Sequence, residues 1–543
     1  MNNDTKKNKI LLKYFTNIDD NVYALKSSIP VQVGAAVISR CSRTNKPLRE
    51  LFWEEFLKNP DLSLSLDTQS EDILDIEANK KAAGFFDRVL AQYGDESVGE
   101  MSYVSVIVED VSPIALKVIE SMRRMAFIEV STRYVDFRSL YKNKYRYYVD
   151  KDVETEIGDE YTKVADQLFK KYEEWFEPIK EYVQSQNPIL ESEKEVAYKA
   201  AVHARTCDIL RELLPFGIIA NAGISGNGRD WSELINIMLS HNLEEVRSVG
   251  QKIQIEVGKI IPNIIQRSSG VHGISSQEYL KNIESIKTNE VKRLRPILSY
   301  STNSSSNTNF SNLFVKILDI SSDPLARVCA SYVYESTGLN FDTLLDYYKF
   351  NPTKTDDVVN EIISIRQNRF HKVPECFESA KIVVEMFGPL SAWKDLQRHR
   401  RLTQYRSTYS LHKSFYVAPE LIEMGLDQEY SNLMSSTMNW IKLKQAEHQN
   451  LYQALEYLTP HGANIRWVME MDLAEAIYMI ELRSASGGHV TYRKIMHLFY
   501  KELEKLDLKL DKLCTNVDLD EYYLGRRQSF NKVIEKGGTL PKF

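Results

Sequence analysis

The stretch Gln397-Arg398-His399-Arg400-Arg401-Leu402-Thr403-Gln404-Tyr405-Arg406-Ser407 has an echo in the first half of the chain, Ser121-Met122-Arg123-Arg124-Met125-Ala126-Phe127-Ile128-Glu129-Val130-Ser131-Thr132-Arg133-Tyr134. Each copy has a similar lead-in: Val106-Ile107-Val108-Glu109 reaches Ser112-Pro113, and Ile382-Val383-Val384-Glu385 reaches Gly388-Pro389. An internal duplication on this scale restricts the chain to two related domains. In each copy the β-branched run reads as a strand, and the proline suits the first turn of a following helix. Both basic clusters then fall near a helix C-terminus, where the dipole favours cations. Taken alone, a basic last turn is an ordinary solvated helix end.

In combination, these segments resemble the signature of the flavin-dependent thymidylate synthases, Arg-His-Arg followed by a short spacer and Ser-x-Arg-Tyr. The signature is divided between the copies. The second keeps Arg398-His399-Arg400 but has Ser407-Thr408-Tyr409 where Ser-x-Arg belongs. The first keeps Glu129, Ser131, Arg133 and Tyr134 but has Met122-Arg123-Arg124 in place of Arg-His-Arg. Asp95 through Met101 is similar to the family's His-x-Ser-x-x-Glu-His, with Asp95 and Met101 at the histidine positions, and His371 through Glu378 is a looser counterpart, with Phe377-Glu378 at the family's distance from Pro389. Arg211-Glu212-Leu213-Leu214-Pro215 and Asn227-Gly228-Arg229-Asp230-Trp231 resemble the downstream run, for which the second copy has Glu456, Asp472 and Ala474. Conversely, Arg483 stands at the family's pyrimidine arginine, where the first copy has Met238.

The losses are complementary, so one composite site can be complete while its mirror image cannot. The resemblance implies that Glu129, Ser131, Arg133 and Arg211 hold the phosphate and sugar of dUMP, with Arg398 also near the nucleotide and Arg483 on the uracil. It implies that Arg398, His399, Arg400, Asn227, Arg229 and Glu378 hold FAD. Ser131 and Arg483 are the expected catalytic groups. The implied reaction is reductive methylation of dUMP to dTMP, with 5,10-methylenetetrahydrofolate and NADPH as co-substrates. Two tandem chains, as a homodimer, would imitate the family's tetramer. A related flavoenzyme acting on another pyrimidine nucleotide, or a non-catalytic nucleotide-binding descendant, are the alternatives.

Read without the family, several of these residues have plainer roles. Asn227-Gly228 is a turn dipeptide, Glu100 and Glu378 are carboxylates of the kind usually found at the surface, and Ser131 could be a satisfied loop hydroxyl.

The length, 543 residues, exceeds one ordinary core. The expected division is a domain over 1–298, a Ser/Asn-rich linker over 299–311 and a domain over 312–543. Apolar residues at three- and four-residue steps predict helices over Thr155 to Ser185, Trp231 to Ile261, Tyr430 to Leu458 and Tyr492 to Leu513. The expected class is therefore α+β, mainly helical with a small sheet in each half, and with helices packing between halves as well as within them. A net charge of -6 argues against a general nucleic-acid binder. No apolar run approaches the ~20 residues of a membrane span, and the start does not read as a signal peptide. Five cysteines without paired or metal-like spacing suggest a reducing cytoplasm and no metal site. Cys376 lacks an activating context, so no catalytic thiol is expected.

Overall fold

The computed structural model describes residues 3–39, 46–57, 97–141, 143–302, 313–410, 414–506 and 509–540. They form two compact units, one drawn from Met1–Val111, Ala115–Glu129 and Ala220–Ser306, the other from Ser112–Ile114, Val130–Ile219 and Asn307–Phe543.

In the first unit β1 (Tyr103–Val111), β2 (Ala126–Glu129) and β3 (Ala220–Asn227) form an antiparallel sheet in the order β1-β3-β2. Buried and half-buried residues alternate along β3, as the strand period requires. At its end Asn227 turns the chain into the helix Gly228–Leu239, its side chain accepting a hydrogen bond from the Asp230 backbone N–H. Gly228 is required there, because a Cβ would lie 2.5 Å from the Ser102 hydroxyl. Trp231 is fully buried, and its indole N–H is shared by the carbonyls of Val104 and Gly226.

The second unit holds β4 (Phe314–Ile320), β5 (Lys381–Pro389), β6 (Leu402–Arg406) and β7 (Asn464–Asp472) in the order β4-β5-β7-β6, all antiparallel. The order β5-β7-β6 repeats β1-β3-β2, and Asp472 caps the helix Leu473–Ser484 as Asn227 caps its counterpart. The architecture is α+β, with two small sheets among many helices. Pro113 opens the helix Pro113–Ile119, whereas Pro389 ends β5 as the N-cap of Leu390–Leu396, one step earlier than its expected place in the first turn.

The second unit mixes both halves of the sequence. Phe169, Tyr172, Phe176 and Val202 share one core with Leu421, Tyr430 and Met434. Two matching segments cross at a local two-fold. Gly217 N donates to Tyr457 O at 2.6 Å and Gly462 N to Glu212 O at 2.9 Å, while Phe216 N donates to Thr459 O and His461 N to Leu214 O. Pro215 and Pro460 face each other at the centre. Both glycines are needed for this approach, since a Cβ on Gly217 would lie 2.8 Å from Tyr457 O and one on Gly462 2.6 Å from the Tyr430 hydroxyl.

The expected helical runs overshoot. The first divides at Gly158, with φ at 62°, into Lys151–Glu156 and Asp159–Gln186, and the second divides into Gly228–Leu239 and Glu244–Ile260. Tyr430 to Leu458 is helical only to Glu447 before short 3-10 turns, and Tyr492 to Leu513 only to Lys505. Of the expected linker, Ser299–Thr302 ends the helix Val271–Thr302, and the remainder lies outside the described residues, as does Asp95. Among the described residues no helix is long and apolar enough to cross a membrane.

Candidate functional site

Within the second unit, Ser131 and Arg133 occupy a tight turn in which the Ser131 hydroxyl accepts from Arg133 N at 3.3 Å. The Arg133 guanidinium forks onto Asp208, at 2.8 Å from Nε and 2.9 Å from Nη2, and its Nη1 donates to the Tyr492 hydroxyl at 3.2 Å. Asp208 lies in the last turn of the helix Glu195–Leu210 and Tyr492 in the first turn of Val490–Lys505. Burial opposes charge on Asp208, but Arg133 and Arg526 outweigh it and hold the carboxyl well below its ordinary range.

Arg211 is not placed as an open phosphate ligand. It is only 1% exposed, with Nη1 and Nη2 each 3.2 Å from Asp395 Oδ2 and Nη2 3.3 Å from Ser391 O. Burial raises the Asp395 carboxyl, yet Arg211, Arg133 and Arg483 together bring it down to about 2. Beside it, burial pushes Glu212 up to about 7, although its carboxylate accepts from the Ser391 hydroxyl at 2.8 Å. His489 accepts at Nδ1 from Thr491 N and faces Asp208 O with Nε2 at 3.1 Å, so its proton is assigned to Nε2. Burial and Arg211 keep this imidazole neutral.

Arg398, His399 and Arg400 follow the helix Leu390–Leu396 with the two arginines exposed and the histidine buried between them. His399 Nδ1 lies 2.6 Å from Glu475 Oε1, and Arg483 Nε donates to His399 Nε2 at 2.9 Å. Arg483 and Arg133 both approach the Tyr492 ring, at 5.8 and 5.7 Å from its centre. Glu378 is paired with Arg401, which also faces Asp472 at 3.6 Å.

The remaining candidates belong to the first unit. Glu129 is buried, accepting from Lys117 at 3.1 Å, and Lys117 also pairs with Glu120. Asn227 directs its amide and its carbonyl to Asp230, as a helix cap does. Arg229 donates to Glu100 at 2.8 Å and lines a cavity of about 410 Å³ with Gly99, Asn236, Arg267 and His272. Ser131, Arg133, Arg211, His399 and Arg483 are thus gathered in one unit, while Glu129, Asn227 and Arg229 are in the other.

The mirror of the Arg133 and Arg211 arrangement is filled by protein. Tyr409 is 1% exposed, its N–H donating to Glu456 Oε1 at 3.0 Å. Its ring packs 4.7 Å from Phe216 and 6.0 Å from Trp393, and the Arg406 guanidinium lies 3.8 Å from the ring centre. Asp208, Asp395, Glu475, His489 and Tyr492 were not singled out from the sequence. Asp208 sits one helical turn before Arg211, a spacing that could have flagged it, but nothing local identifies Arg133 as its partner.

The family profile described as thymidylate synthase complementing protein matches residues 59–263 and 317–507. A UPF0159 protein of Chlamydia pneumoniae is 30% identical over 527 residues, covering 96% of this chain and 96% of that protein. Another from Thermoplasma acidophilum is 26% identical over 533 residues, covering 93% and 99%. Among solved structures, the flavin-dependent thymidylate synthase ThyX of Helicobacter pylori, complexed with FAD and dUMP, is 13% identical and covers 37% of this chain and 98% of its own, at a TM-score of 0.28. The UMP/dUMP methylase PolB of Streptomyces cacaoi is 10% identical, covers 39% and 98%, and has a TM-score of 0.31. Neither structural likeness is close enough to carry weight beside the profile, whose two tandem matches span most of the chain: it belongs to the thymidylate synthase complementing protein, or ThyX, family.

Proposed function

We propose that the chain is a flavin-dependent thymidylate synthase that methylates dUMP reductively, using methylenetetrahydrofolate and, as reductant, NADPH. The observation that carries this reading is the meeting, in one unit, of Arg133 from the first half and the His399–Arg483 pair from the second around Tyr492. Arg133 and Ser131 hold the nucleotide phosphate, which suits a guanidinium whose orientation is already fixed by Asp208. Arg211 acts behind them by neutralising Asp395. Arg483 faces the pyrimidine carbonyl and favours the negative charge that develops as the ring accepts hydride.

The residues present fit a flavin dinucleotide. Arg398 and Arg400 are exposed on one loop, and forked donors of this kind suit a diphosphate. Bound FAD supplies electron transfer, and the chain supplies orientation and electrostatics.

The test is incubation of the purified chain with FAD, NADPH, methylenetetrahydrofolate and dUMP, followed by mass analysis of the nucleotide. Methylation of dUMP but not of deoxycytidylate is expected. Unchanged dUMP with flavin-loaded, folded protein would reject the reading. Arg400→Ala should weaken FAD binding by about 1.5–3 kcal/mol, the range for a charge-assisted hydrogen bond, read by flavin fluorescence titration.

A further inference from the structure

His399 joins two side chains of one helix, Glu475 in the first turn of Leu473–Ser484 and Arg483 in its last. An arginine Nε always carries hydrogen and can only donate. At 2.9 Å from Arg483 Nε, the His399 Nε2 must therefore present its lone pair. The imidazole proton belongs on Nδ1, directed at Glu475 Oε1 2.6 Å away. Glu475 is itself fixed, since its backbone N–H donates to the capping carboxylate of Asp472 at 2.8 Å and the residue is 5% exposed. Burial, opposed by Glu475, keeps His399 below its ordinary pKa, in accord with a neutral ring. The first copy has no such relay, because Arg123 replaces the histidine and Met238 replaces the terminal arginine, and its Arg124 pairs directly with Asp230.

We propose that Glu475 is a positioning residue: by holding the Nδ1–H form of His399 it keeps Nε2 as an acceptor for Arg483, and so sets the direction in which that guanidinium meets the pyrimidine. The last clause rests on the reading of Arg483 given above. The relay does not. Without the carboxylate the ring is able to take the Nε2–H form, and two donors then face each other where one hydrogen bond stood, which turns Arg483 away from Tyr492.

The experiment is nitrogen-15 NMR of histidine-labelled full-length protein, with His399→Gln used to assign the resonance. Wild type should show an Nδ1–H tautomer, and Glu475→Ala should lose that preference. In parallel, Glu475→Ala should lower kcat/KM for dUMP by about tenfold, the size of one lost charge-assisted hydrogen bond. His399→Gln, whose amide oxygen can replace Nε2, should retain more activity than His399→Leu. If Glu475→Ala is poorly folded, Glu475→Leu, which fills the space without an acceptor, supplies the same comparison. An Nε2–H tautomer in wild type, or an unchanged tautomer without the carboxylate, overturns the relay. A changed tautomer with dUMP kinetics untouched, in a protein that methylates dUMP, overturns the role given to Glu475 and leaves the proposed reaction standing. Absence of dUMP methylation in wild type rejects that reaction instead.

Discussion

At the scale of single residues, the chemistry is set by what each charge faces after burial. Arg133 is oriented by Asp208, and Arg133→Ala leaves that carboxylate with Arg526, 3.5 Å away, as its nearest remaining cation. Breaking a buried pair from one side costs about 3–5 kcal/mol, so the single variant should be both unstable and unable to bind dUMP. The double variant Arg133→Ala/Asp208→Ala should recover much of the stability in chemical denaturation while calorimetry still finds no nucleotide binding. Recovered binding would remove Arg133 from the phosphate site. Glu456 gives a prediction of opposite electrostatic character. Burial raises its carboxyl to about 7, so its stabilising, protonated form is complete below the ordinary value of about 4.3 and is lost as the pH rises through about 7. Glu456→Gln should flatten the fall in stability across that window by roughly 3 kcal/mol, visible in denaturant midpoints; an unchanged pH slope counts against the assignment. Cys376 completes the residue scale. Its half-buried thiol is pushed up to about 11, so Cys376→Ala should retain most turnover, as a mechanism without an enzyme thiolate requires.

Elements were legible where their signals are local. The paired strand-to-helix turns were readable from β-branched runs and proline, and the structure adds matching caps at Asn227 and Asp472. Asp472→Ala should cost about 1 kcal/mol from the lost cap, with a further effect on Arg401, which faces the same carboxylate. Helix ends were less legible. Apolar periodicity persists across Gly158 and across the turn between Leu239 and Glu244 because both flanking helices present an apolar stripe to a core. The crossing at Pro215 and Pro460 was not legible at all, since hydrogen bonds between segments so far apart in sequence leave no periodic trace. Its glycines make it testable. Gly462→Ala must push aside the Tyr430 hydroxyl or Glu212 and should destabilise by about 1–3 kcal/mol, with a larger loss of dUMP affinity than of FAD affinity.

At the scale of the whole molecule, residues Val130–Ile219 of the first half belong to the unit built around the second. Cutting the chain between the halves therefore divides a core that includes Phe176, Val202 and Tyr430. Each half alone should be inactive, and coexpression of 1–298 with 312–543 should recover activity better than mixing after separate folding, as judged by dTMP formation. Robust turnover by either half would defeat the composite site. Because the mirror arrangement is closed by Tyr409 and Glu456, we expect one dUMP and one FAD per chain, and we propose a homodimer as the assembly. Calorimetry finding two equivalent dUMP sites per chain would contradict this. The sequence by itself determined the duplication, the family and the complementary losses, because motif identity and spacing are written along the chain. Only the tertiary structure decided that Arg211 is buried against Asp395, that His399 stands between Glu475 and Arg483, and that Tyr492 links Arg483 to Arg133. Those pairings depend on which charges are desolvated together, and desolvation is a property of packed neighbours distant in sequence.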